Sequence, residues 1–113
     1  MALPQRHSDD WHAHYDIENP TEVDAYVRRY PSLVLLLERA PEEIAAAFEE
    51  DVRLVLRHEL DPEDAPPSAY LSVDILTARD DGDALVRFDR FDDWWLDAMP
   101  RDGAVVVFLP RSA

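Results

Sequence analysis

Two stretches of this 113-residue chain carry side chains able to do chemistry. The first is HSDDWHAHYD, residues 7–16, where His12 and His14 stand two apart with His7, Asp9, Asp10 and Asp16 close by. Imidazole with carboxylate is a donor set for zinc, nickel or copper, and a two-residue spacing suits an extended chelate. A loosely ordered segment nevertheless binds an ion weakly, because ordering it costs conformational entropy. No H-E-x-x-H pattern adds a hydrolytic site. The second stretch is FDDWWLDAMP, residues 91–100, which together with Asp89 gathers Asp89, Asp92, Asp93 and Asp97; Asp74 is a candidate to join them. Carboxylates act as an acid–base pair when burial splits their pKa values, or as oxygen ligands for a hard divalent cation. At helical spacing these acids form a ridge away from the core, so the plainer reading is a solvated face.

The same stretch holds two adjacent tryptophans. Each helical residue advances about 100°. Ala84, Phe88, Phe91 and Trp95 then fall on one side as a core stripe, with Leu85 and Leu96 widening one edge. Asp89, Asp93 and Asp97 lie opposite. Trp94 points about 100° away from Trp95 and falls between Arg87 and Arg90. Arg90 is four residues earlier, a spacing that allows its guanidinium to stack on the indole for about 0.5–1 kcal/mol. Trp95 is therefore read as core. Trp94, with Arg90, Arg87, Asp93 and Asp97, is the candidate partner-binding surface. An ordinary helix flank is the competing reading.

Composition removes most other chemistries. Cysteine is absent, which excludes disulfides, Cys–zinc sites and thiol catalysis. Gly82 and Gly103 are the only glycines, too few for a phosphate-cradling loop. No G-x-S-x-G occurs, and the serines lack a nucleophile context. The formal charge is −14, from 25 acids and 11 bases, all of them Arg. That balance repels nucleic acid and anionic membranes, which require a basic footprint, and attracts a basic protein or a multivalent cation. No apolar run reaches the roughly 18 residues of a membrane span. The first eleven residues have no secretory pattern, so the expected location is cytoplasmic. Scarce Asn and Gln with proline at junctions suit a thermophile; a GC-rich or halophilic genome accounts for the Arg, Ala and acid content equally well.

These side chains need elements to hold them. Residues 1–20 read as a loosely ordered tail, and residues 21–113 as a single domain. Thr21 is placed as the N-cap of a first helix bearing Val23, Tyr26, Val27 and Tyr30. Pro31 and Pro41 each open a new segment, giving two or three short helices with Leu33, Leu36, Leu37, Ile44, Ala45 and Phe48 inward. At residue 51 the apolar period shifts from 3.6 to 2. Val52, Leu54, Leu56 and Leu60 alternate with Arg53, Arg57 and Glu59, placing His58 on the inward face. Leu71, Val73 and Ile75 mark a second strand, paired with the first as an antiparallel hairpin across the loop at residues 61–68. A helix starts near Asp80, capped by Asp80 or Asp81. AVVVFLP, residues 104–110, is a third strand whose unbroken apolar run suits a central position. The predicted fold class is α+β: helices, two strands, a helix and a strand, with a three-stranded, largely antiparallel sheet covered by helices on one face. Arg53, Arg57, Ser72 and Asp74 would lie on the other face, which is wet or an oligomer surface.

L-x-x-F-D-x-F-D-D-W-W-L-D, residues 85–97, with its short polar gap and final apolar strand, resembles a group of small uncharacterised bacterial proteins. YPSLVLLLERAPEEIAAAF is similar to their leading helices. The resemblance covers residues 26–109 loosely and implies an architecture without a chemistry.

The sequence thus predicts a non-catalytic acidic protein, with no cofactor, that binds a basic protein as an antitoxin, immunity-like inhibitor or adaptor does. Two alternatives stay open. One is a self-associating accessory protein; the other is a metal-binding protein using His7, His12 and His14.

Overall fold

The computed structural model describes residues 11–50, 52–63 and 68–112. In chain order the elements are β1 (Asp16–Ile17), α1 (Pro20–Arg29), α2 (Leu33–Phe48), β2 (Arg53–Asp61), β3 (Ser68–Thr77), α3 (Asp81–Ala98) and β4 (Val106–Ser112). The architecture is α+β, and its sheet is mixed with four strands in the order β1-β2-β3-β4. β2 and β3 form the expected antiparallel hairpin, with Leu54 opposite Ile75 and Leu56 opposite Val73. The outer pairs, β1 with β2 and β3 with β4, are parallel. A three-stranded, largely antiparallel sheet is therefore corrected on both counts.

Alternation sorts the sheet into two faces. Leu54, Leu56, Leu71, Val73, Ile75, Val106 and Phe108 point to one side and join Val23, Leu33, Leu37, Ile44, Phe48 and Phe91 of the helices in one core cluster. All three helices thus cover the same face.

β1 was not expected. Residues 1–10 of the proposed tail lie outside the described residues, but residues 11–19 pack into the domain. Trp11 is 1% exposed, and Tyr15 is buried. Glu18 N–H donates to the Leu56 carbonyl at 3.0 Å. The side chain of Asn19 then continues the ladder, donating to the His58 carbonyl at 2.9 Å and accepting from the His58 N–H at 2.8 Å. Asn19, not Thr21, is the N-cap position of α1, and Pro20 follows in the first turn, where its missing N–H costs nothing. The Asn19 side chain caps no amide of α1, because it is committed to β2.

Pro41 does not restart a helix. It sits inside the continuous 16-residue α2. A proline there deprives the carbonyl four residues earlier, Leu37 O, of its N–H donor. The buried Tyr15 hydroxyl donates to that carbonyl at 2.8 Å. The segment read as a tail therefore supplies the bond that the helix lacks.

Two further placements differ from expectation. β4 is an edge strand rather than a central one. Val106 and Phe108 are buried on its helix-facing side, while Val105 and Leu109 are exposed. Leu60 faces inward by alternation but lies exposed at the end of β2.

Candidate functional site

α3 carries most of the predicted surface, and its start is built as the sequence indicates. Asp80 is the N-cap, and its carboxylate accepts from Asp83 N–H at 2.9 Å. Asp81 and Asp83 follow in the first turn, where the helix dipole favours negative charge. Only Ala84 and Phe91 are fully buried along the helix. Phe91 packs against Phe108 at 4.9 Å between ring centroids, and Trp95 meets Phe108 at 5.2 Å.

Trp94 and Trp95 are both half-buried, so the split between a core and a boundary tryptophan is shallower than the helical geometry suggests. Phe91 lies 5.6 Å from Trp94 and 6.4 Å from Trp95. The Trp95 indole N–H is buried without a hydrogen-bond acceptor among the described residues. Arg90 does not stack on Trp94. It reaches Glu49 at 3.7 Å, and among the described residues the guanidinium that lies over a ring is that of Arg29, 5.6 Å from Tyr30.

Arg87 is a structural residue. Its side chain is 17% exposed and bonds Glu49 at 2.7 Å, Asp83 at 3.1 Å and the Ala47 carbonyl at 3.4 Å. Arg79 acts beside it, donating to the Phe48 carbonyl at 3.0 Å and to Asp83 at 2.9 Å. The last turn of α2 has no basic residue of its own, so these two arginines satisfy its terminal carbonyls. The Arg87 hydrogen bond is the main cause holding the Glu49 carboxyl below its ordinary range, and Asp83 is lowered likewise, first by Arg87. Arg87 thus leaves the predicted binding surface and becomes part of the joint between α2 and α3.

The outward surface of α3 contains more apolar area than expected. Leu85 and Leu96, placed at the edge of the core, are 58% and 63% exposed, and Val86 is exposed as well. The helical geometry already contained this signal: Leu85 and Leu96 fall within about 40° of Asp89, on the wet ridge. Asp89, Asp93 and Asp97 are exposed as predicted. Among the described residues, the side chains of these three and of Asp92 form no ion pair or hydrogen bond. Leu85, Asp89, Asp93, Leu96 and Asp97 therefore make one apolar and acidic strip, flanked by Arg90 and Trp94.

Asp74 does not join these acids. It lies on the opposite face of the sheet, with its side chain 8% exposed between Arg57 at 3.1 Å and Arg111 at 2.9 Å. Arg57 also reaches Glu18 at 2.9 Å, and Arg53 pairs with Asp16. This open face is laced by ion pairs that satisfy its arginines within one molecule. Ser72, buried in the same face, has a hydroxyl without a partner among the described residues.

The described histidines do not gather. His7 lies outside the described residues, and His14 is exposed. His12 is spent on Asp24 at 2.8 Å, at the mouth of a cleft of about 510 Å³ between Trp11, Val27, Arg28, Pro31 and Val34. Among the described residues no group of three His, Asp or Glu side chains is arranged to hold a metal. His58, on the inward face as expected, is half-buried and meets the Tyr26 ring at 5.9 Å.

No protein-family model, curated protein or solved structure matches the chain.

Proposed function

We propose that the chain is a non-catalytic partner-binding protein, and that the outward strip of α3 docks on a basic protein in the manner of an inhibitor, antitoxin or adaptor. The observation that carries this reading is the position of Asp93 and Asp97. They lie in the C-terminal half of α3, which has no basic residue in its last turn, and no ion pair among the described residues engages them. Negative charge in the last turn, where Asp97 stands, opposes the helix dipole and lowers stability by about 0.3–1 kcal/mol. Acids needed only for solubility would serve as well in the first turn without that cost. Leu85 and Leu96 add exposed apolar area beside them, which suits an interface with a desolvated centre and a charged rim. Arg90 and Trp94 complete its flank, and the partner is protein rather than nucleic acid or membrane. A cytoplasmic location belongs to the same proposal.

The test is capture of partners by the tagged chain from its own cell extract, at low and high salt. A basic protein held stoichiometrically at low salt and released at high salt supports the reading. Asp93→Asn with Asp97→Asn should abolish that capture and raise the melting temperature. Capture that ignores both salt and these substitutions would sink it.

A further inference from the structure

The cleft beside the His12–Asp24 pair carries two opposite charges that do not neutralise each other. Its volume is about 510 Å³, within the range of small-ligand sites. Trp11 and Val27, both buried, form its floor, while exposed Pro31 and half-buried Val34 supply apolar wall that a ligand can reach. Asp24 and Arg28 line its mouth from α1. They stand four residues apart, a spacing at which acid and base ordinarily pair along a helix. Here they do not. The Asp24 carboxylate meets His12 at 2.8 Å instead, with the two side chains 37% and 34% exposed. A carboxylate only accepts, so His12 Nε2 donates to Asp24 Oδ1, and Asp24 Oδ2 has no partner among the described residues. Arg28 is exposed and likewise has none.

We propose that this cleft binds a free α-amino acid with an apolar side chain. Arg28 holds the carboxylate, Asp24 Oδ2 accepts from the ammonium, and the apolar side chain lies against Pro31 and Val34. Four residues of helix separate the two charged positions by about 6 Å along the axis. Two charge-assisted hydrogen bonds of about 2.8 Å, one on either side of a ligand with both charges on neighbouring atoms, span that gap. Charge selects the zwitterion. A simple anion meets the field of a chain of net charge −14, and a simple cation meets Arg28. A zwitterion is neutral overall and satisfies both groups. No residue lining this cleft belongs to α3, so the site is independent of the partner-binding strip.

Proton–nitrogen NMR of the whole chain, titrated with L-phenylalanine and with L-leucine, tests the proposal. The amides of Val27, Arg28 and Val34 should shift saturably with a Kd of about 1 mM, since the mouth is open to water. Phenylpropanoate, which lacks the ammonium, and phenylethylamine, which lacks the carboxylate, should each bind about tenfold more weakly than L-phenylalanine. Arg28→Gln should bring L-phenylalanine down to the affinity of phenylethylamine. Asp24→Asn, which keeps an acceptor for His12, should bring it down to that of phenylpropanoate. Arg39→Gln, the same charge change at an exposed position outside the cleft, should leave binding as it was. Cleft amides that do not shift at about 20 mM of either amino acid overturn the proposal. So does binding that Arg28→Gln leaves unchanged, or a truncated ligand that binds as tightly as the amino acid.

Discussion

Tyr15 supplies to α2 the hydrogen bond that a backbone amide supplies elsewhere in the helix. Its hydroxyl meets Leu37 O, the carbonyl that Pro41 leaves without a donor. Burial pushes the Tyr15 pKa well above its ordinary value, so the donor stays protonated in the folded protein. Tyr15→Phe should cost about 1–3 kcal/mol, since it leaves a buried carbonyl unpaired. Pro41→Ala restores an N–H to that carbonyl. In a Pro41→Ala background the cost of Tyr15→Phe should therefore fall by about 1 kcal/mol or more. Urea denaturation of the four proteins closes this cycle, and additive costs would show that Tyr15 and Pro41 are unrelated. The pairing was not legible in the sequence. Pro41 on its own reads as a helix start, and Tyr15 as part of a polar tail, because the bond joins residues 22 apart. Asp80 was legible, since a cap acts on its own first turn.

At the scale of elements, the joint between α2 and α3 rests on Arg79 and Arg87. Both bridge Asp83, and both reach terminal carbonyls of α2. Glu49 adopts a left-handed conformation, φ 55°, as the chain leaves α2, and it delivers its carboxylate to Arg87. The folded pKa values of Glu49 and Asp83 are lowered, so the stability they contribute is complete above the ordinary carboxylate range. It disappears as pH falls through the lowered folded values. Arg87→Ala should therefore lower the melting temperature at pH 7, and the gap from the native protein should narrow below about pH 4. A gap that does not change with pH would assign Arg87 a packing role alone. Elements with several turns or alternations were readable: α1, the β2–β3 hairpin and α3 all fall where periodicity puts them. β1 is two residues long, too short for any period to register. The edge position of β4 was hidden because Val105 and Leu109 are apolar on the outer side too, which imitates a strand buried on both faces. For the candidate site, the exposed acids were legible from their spacing. The structural role of Arg87 was not, because its partners come from α2.

Charge dominates at the scale of the whole molecule. Among the described residues six arginines (Arg53, Arg57, Arg79, Arg87, Arg90 and Arg111) are engaged with acids, yet the chain retains a net charge of −14. The uncompensated acids repel one another in the compact state. Adding salt screens that repulsion over about 10 Å at 0.1 M. It also weakens the exposed ion pairs, but such pairs contribute little individually. The melting temperature should therefore rise from 10 mM to about 0.5 M sodium chloride, as a calorimetric scan would show; a fall would mean that the ion pairs outweigh the repulsion.

Neither border of the sheet offers a free ladder. β1 offers a neighbour scarcely one outward-facing residue, set between Asp16 and Glu18, and Pro20 follows directly after Asn19. On β4, Val106 and Phe108 are each 1% exposed, so an incoming strand does not reach their backbone groups. A sheet closed at both borders gives another chain nowhere to add, which guards the protein against fibre formation although residues 103–110 carry no charge.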